Sequence, residues 1–524
     1  MSARVDPRRV APTLLAGALA ALYVIVSPPS LDLAAHVFRA QLFRSEGFAL
    51  WNNWWYAGHH IVGYSVLFPA VSAALSPQLA AAIAATATAA VFEPLAHRRY
   101  GADAWLGALV FGAATATSLF TGRLAFAFGA LPAVAAILAL DRGRTWLAAS
   151  LAALAALCSP VAALFAALGA AAHALGSYLA ERELRVAWPG IAVAIAAIAP
   201  LAAFAVAFPE GGSEPFAFAA LWPIPLLALG TLLALPAGEQ KLRAGVALYT
   251  LATIACYLVP SPVGSNAARL GTFFAAPLAA LLWWPRKVLL LVLAAAPLLY
   301  LEWQAPIRDL VTAVDDPSYS ADYYEPLLRF LGQQTGPPFR VEVPFTRFHW
   351  EAYAVASRYP IARGWERQLD IEDNALFYRG HLTAAAYEAW LHREAVRFVA
   401  AADAPLDYSA EQEMALIDRG LPYLRLAMRT AHWRVYEVSD PTPIVQGAAT
   451  LRSIGGDWLS LYAGHTGSAL VRVRFTPYWK LAQGAGCVSR AGQFTRVTIR
   501  RPGSLRLVAS FSLGRIGASS PRCS

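Results

Sequence analysis

The sequence predicts a polytopic α-helical membrane domain of about eleven transmembrane helices, followed by an extracytoplasmic α/β plus β-sandwich region. Three observations predict it. Of 524 residues, 58% are hydrophobic and 14% charged, against roughly 45–50% and about 25% in soluble proteins. Continuous apolar segments fill residues 10–304, whereas 305–524 carry ordinary charge and alternation. Arg clusters punctuate the apolar runs, so the net charge of +9 follows the positive-inside rule and argues against nucleic-acid binding.

The first span, 10–28, follows Arg4, Arg8 and Arg9. It mimics a secretory signal, yet no small-x-small cleavage site follows, and it reads as an uncleaved helix. Further spans are expected at 78–96, 104–120, 124–140, 145–158, 160–180, 188–208, 216–235, 244–259, 268–284 and 288–304, each near the ~20 residues that a crossing needs. Between them Arg98-Arg99, Arg142/Arg144, Arg182/Arg185, Lys241/Arg243 and Arg286-Lys287 mark the cytoplasmic side. A single helix over 146–180 would measure about 52 Å, too long for a core of about 30 Å, so two short spans hinged at Ser159-Pro160 are expected. Residues 61–76, broken by Pro69 and followed by Pro77, read as re-entrant or interfacial. The N-terminus is then cytoplasmic and everything beyond 304 lies outside.

Three divisions follow. Residues 1–304 form the membrane domain with a first outside loop at 29–60. Residues 305–445 form an α/β domain, with helical stretches at 323–334, 383–394 and 409–420 and strands at Phe339–Val343, Val396–Ala400 and Trp433–Val438. From 446 to 524 the period is two, as in Ala469–Phe475, Phe494–Arg500 and Ser504–Phe511, which predicts a β-sandwich. Cys158 and Cys256 sit in apolar runs. Cys487 and Cys523 flank the last strands outside the membrane, where oxidising conditions allow a disulfide.

The first loop holds the densest polar cluster. Ser30 can cap a short helix on which Asp32, His36 and Arg39 share one face, a set suited to general-base work with Asp32 as base and His36 beside it; a solvated interfacial face reads equally well. Trp51, Asn52, Trp54, His59 and His60 combine ring faces for sugar C–H surfaces with directional hydrogen bonds, and read also as an aromatic belt at the interface. Arg123 and Arg269 stand in outside loops against the positive-inside bias, and their planar forks suit a lipid phosphate; headgroup snorkelling is the other reading. Glu93 and His173, on the inner side, read as structural.

The order of an apolar span, Asp32-Leu-Ala-Ala-His36, Arg39, Gly47, Trp51-Asn52, Trp54, Gly58 and a Pro-interrupted apolar segment resembles GT-C type membrane glycosyltransferases. Within that group the chain looks most like the YfhO-like and "6-pyruvoyl-tetrahydropterin synthase related" bacterial membrane proteins, whose name implies no pterin chemistry here. Phe475-Thr476-Pro477-Tyr478-Trp479-Lys480 also resembles the Tyr-x-x-x-Trp start of the YfhO-like C-terminal β-domain. The resemblance implies transfer from a polyprenyl-phosphate sugar to a glycan or lipid acceptor of the bacterial cell envelope, with Asp32 as base and Arg269, Arg123 and Arg39 toward the donor phosphate. Many GT-C enzymes carry paired acids in this loop, whereas Asp32 has no acidic neighbour in sequence. No cofactor is expected, and the part of a divalent metal stays open. The alternative is a non-catalytic protein that binds or exports an envelope polysaccharide or lipid.

Overall fold

The structure, a computed structural model, describes residues 6–524; Arg4 of the N-terminal basic cluster lies outside the described residues. Helices occupy the expected spans, beginning with Pro7–Val26, where Asp6 caps the first turn. Among the described residues, six stretches are long and apolar enough to cross a membrane: Pro7–Val26, Pro77–Phe120, Leu124–Asp141, Pro160–Glu181, Leu184–Ala207 and Val288–Ala313. Their outward faces are apolar, with Ile25 80%, Val206 66% and Leu289 72% exposed, the reverse of a water-soluble surface. The chain is therefore a membrane protein. The hinge forms as expected: Thr145–Cys158 ends, Ser159 is extended, and its hydroxyl caps Pro160–Glu181. Span 216–235 is broken into Phe218–Leu221 and Pro223–Ala234, while 61–76 contains only the short helix Phe68–Leu75. The last apolar helix runs on to Ala313 rather than ending at 304.

The chain divides into two compact units. One comprises the residues up to His36 with Tyr64–Phe204 and Ser213–Val314; the other comprises Val37–Gly63, Ala205–Gly212 and Asp315–Ser524. The expected first loop is thus shared between them, because its Trp-rich part is buried among strands of the second unit.

The first unit is helical. Small residues let its helices approach closely: Ala136, Ala148, Ala152, Ala170, Val193 and Ala197 form one buried cluster, and Phe92, Phe111, Phe273 and Leu281 build an aromatic one. Glu93 pairs with Arg9 at 2.9 Å, and Lys241 meets His173 at 2.9 Å.

The second unit contains a four-stranded sheet in which Arg340–Glu342 runs parallel to Val396–Ala402, which pairs antiparallel with Trp433–Val438 and that strand with Leu424–Arg429. Helices Ala321–Gly332, Ala384–Arg393 and Glu411–Asp418 accompany it. Two antiparallel sheets of five and four strands follow, closed around Leu459, Leu461, Val471, Val497 and Leu507. The alternation that predicted them is the burial pattern itself, as in Gly503–Ala509, where Leu505 and Leu507 point inward. Cys487 and Cys523 stand opposite each other on paired strands, 4.0 Å apart at Cα, and form the disulfide.

Candidate functional site

The helix after the first span starts at Leu33, not at Ser30. Ser30 serves it through its backbone carbonyl, which accepts from Leu33 N at 3.2 Å, so the expected hydroxyl cap is replaced and Asp32 lies in the turn before the helix. His36, in the first turn, is buried against Tyr64 and Phe68. Its Nε2 donates to the carbonyl oxygen of Gly122 at 3.1 Å.

That hydrogen bond brings the turn Thr121–Arg123 to the start of the loop. Gly122 has φ +72°, and a Cβ there would run into the Ser30 hydroxyl, so only glycine lets the two turns touch. Beside it, Arg123 has its pKa pulled down to about 10, first by burial and then by the positive Arg269, while Asp32, Asp309 and Glu214 act in the opposite sense. It stays charged at neutral pH. Arg269 follows the short helix Gly264–Ala267, whose register is fixed by Tyr249: its hydroxyl donates to Ala267 O at 3.1 Å and accepts from Gly271 N at 3.0 Å. Glu214 accepts from the Ser265 hydroxyl at 3.0 Å. Arg269 and three carboxylates thus act electrostatically on Arg123.

Next to them opens a cavity of about 440 Å³. Phe126, Leu270 and Gly271 line one end and Arg99, Tyr100, Asp141 and Lys241 the other; Phe126 and Asp141 lie about 22 Å apart by helical rise. Between them the walls are chiefly Ala, Leu, Ile and Phe. The Arg269 guanidinium lies 5.8 Å from the Phe126 ring, so a cation stands beside a lining residue of an apolar slot as deep as half of a bilayer or more.

The other expected site residues belong to the second unit. Arg39 is buried, pairs with Glu366 and lies 5.4 Å from the Trp55 ring. Trp51, Asn52, His59 and His60 form a two-stranded hairpin whose side chains are at most 7% exposed. Trp51 packs edge-on to Trp479 in the sandwich core. Asn52 Nδ2 donates to His59 Nε2 at 3.0 Å, and the opposite nitrogen of His59 donates to His60 O at 3.0 Å. His60 Nε2 meets the Thr476 hydroxyl at 3.0 Å, with Glu210 2.7 Å from Nδ1 but out of line for a hydrogen bond. Asn52 Oδ1 accepts from Trp54 N at 3.0 Å, and Trp54 accepts from Ile361 N at 2.8 Å through its carbonyl. These polar atoms are thus engaged within the second unit, while Trp54 itself is partly exposed. Burial holds His59 well below its ordinary pKa, assisted by the charge of Arg39.

Among the described residues, no three His, Cys, Asp or Glu side chains gather to hold a metal ion. Sequence reasoning missed Asp309 and Glu214. Asp309 lies past the expected end of the last span, and an acid on an apolar helix is the signal that could have found it.

No protein-family model matches the chain, and no curated protein sequence is similar to it. Among solved structures it is similar to ArnT from Cupriavidus metallidurans bound to undecaprenyl phosphate, at 12% identity over 81% of this chain and 97% of that one, with a TM-score of 0.42. A likeness at this score is too loose to transfer a residue or a role.

Proposed function

We propose that the protein is an integral membrane glycosyltransferase that moves a sugar from a polyprenyl-phosphate donor to a cell-envelope acceptor on the extracytoplasmic side. One observation carries the reading: an apolar cavity of about 440 Å³ reaches Phe126, whose ring lies 5.8 Å from the Arg269 guanidinium, and Arg269 and Asp32 both act electrostatically on Arg123. An isoprenoid chain suits the slot and its phosphate the two guanidinium forks. Departure of a lipid phosphate needs charge stabilisation at the leaving group, which Arg269 and Arg123 supply. Asp32 takes the proton of the acceptor hydroxyl as it attacks the sugar carbon. His36 positions the Gly122 turn and does not itself move the proton. The basic clusters between spans support a cytoplasmic N-terminus.

The test is native mass spectrometry of the purified protein, followed by binding of undecaprenyl phosphate in detergent micelles. A bound polyprenyl phosphate that is lost in Arg269→Ala supports the reading. Ordinary phospholipid alone, with no undecaprenyl phosphate affinity, would overturn it in favour of a protein that binds envelope lipid or polysaccharide without transfer.

A further inference from the structure

The net charge of the chain resides in its β-sandwich. Residues 446–524 hold eleven of the 42 Lys and Arg but one of the 33 acids, Asp457, a net +10 where the whole chain has +9. Residues 1–445 are balanced, with 31 bases against 32 acids, so the positive-inside bias does not account for the surplus. A charge of one sign confined to a domain beyond the apolar runs is complementary to a polyanion.

The sheet of four strands shows where such a chain would lie. Its order is Trp479–Gln483, Gly503–Ala509, Trp458–Ala463 and Ala449–Ile454. Leu459, Leu461, Leu505 and Leu507 point into the core, and alternation turns Trp458, Tyr462, Lys480 and Arg506 to the other face. Arg452, at the irregularity between Leu451 and Ser453, joins them: its guanidinium lies 5.1 Å from the Tyr462 ring, as that of Arg506 lies 4.3 Å from the Trp458 ring. Tyr462 is 45% exposed, and both arginines are exposed. Four residues apart on one strand, the two rings are separated by about 13 Å, which spans a short run of sugars. No acid stands on any of the four strands. Among the described residues, Arg452, Lys480 and Arg506 form no hydrogen bond or ion pair with the chain, so their donors remain open to a ligand.

The residue types define that ligand. Aromatic rings suit the C–H faces of sugars, and guanidinium forks suit carboxylates. A face built for an anionic lipid surface would set apolar anchors beside its bases. Here the positions between them carry the hydroxyls of Thr450, Ser460 and Ser504, with Ser460 opposite Arg506 and Ser504 opposite Tyr462. We infer that this face binds an acidic polysaccharide, a chain whose sugars carry carboxylates. On the transferase reading proposed above, on which this last step rests, that chain is the acceptor.

The experiment measures binding of polygalacturonate and of neutral dextran to the full-length protein in detergent at low ionic strength. Wild type should bind polygalacturonate and not dextran. Arg452→Ala/Arg506→Ala should weaken binding by about tenfold or more, the worth of one hydrogen bond to a charged group. Arg452→Lys/Arg506→Lys should recover part of the loss, since the charge remains and the fork does not. Tyr462→Ala should weaken the binding that persists when salt screens the charges. Arg490→Ala/Arg496→Ala, which removes the same charge from the five-stranded sheet, should change little. Equal losses in the two double alanine variants would reduce the attraction to diffuse charge and overturn the assignment of this face. Displacement of polygalacturonate by phosphatidylglycerol micelles would assign the face to a lipid surface instead, and absence of polygalacturonate binding in wild type removes the proposal. Undecaprenyl phosphate affinity, read on the same proteins, should be equal in all of them; its absence in wild type would remove the donor reading and leave the glycan face standing.

Discussion

His36 Nε2 stands 3.1 Å from the carbonyl oxygen of Gly122, a hydrogen bond across 86 residues that holds the turn bearing Arg123 against the turn bearing Asp32. The turns bearing Asp32 and Arg123, separated by four α-helices in sequence, are thereby brought together. The bond is buried, which raises its worth and the cost of leaving the carbonyl unpaired.

Asp32→Asn should abolish transfer while leaving the protein folded, because the amide keeps shape and loses basicity. His36→Ala should be milder in transfer and cost about 1–3 kcal/mol of stability, through the unpaired Gly122 carbonyl. Turnover of each variant beside its melting curve checks both; wild-type turnover in Asp32→Asn would remove Asp32 from the mechanism.

Arg269→Ala should weaken donor-lipid binding strongly, and Arg269→Lys should restore it only in part, since an ammonium lacks the planar fork. Arg123→Ala should follow the same direction. Equal affinity for undecaprenyl phosphate in Arg269→Ala and wild type would refute the assignment.

Arg39→Ala should act on stability and leave lipid affinity untouched. Loss of the largely buried ion pair with Glu366 should cost on the order of 3–5 kcal/mol. Chemical denaturation measures this, and Arg39→Ala/Glu366→Ala should recover part of the loss.

His59 contributes a pH dependence. Its folded pKa is depressed by burial, so below its ordinary value of about 6.5 the unfolded chain binds the proton and the folded one does not. Stability from this group is therefore complete above that value and falls as pH drops through it toward the folded pKa. A His59→Gln variant should show a shallower loss between pH 7 and 5; an unchanged slope would mean that His59 is not the group responsible.

The Cys487–Cys523 disulfide closes a separation of 36 residues. Its removal by Cys487→Ser should lower stability by about 3–4 kcal/mol in the chain-entropy picture. The measurement is unfolding of the variant against the oxidised protein, with thiol labelling to check that both sulfurs are bonded in the native state.

Hydropathy and alternation determined much of this molecule, because both are local: a run of about 20 apolar residues must become a helix in lipid, and a period of two must become a half-buried strand. The Ser159-Pro160 break, the strands around Leu505 and Leu507, and the Cys487–Cys523 pair were legible for that reason. Spacing did not reveal the burial of Arg39, Trp51, Asn52, His59 and His60, because identical residue types serve open and buried segments alike. Only tertiary partners such as Glu366, Trp479 and Thr476 distinguish these outcomes. Tertiary structure alone also decided that Arg269, Asp32 and Asp309 act on Arg123. Charges act through space, and no sequence period joins residues brought from four separate turns and helices.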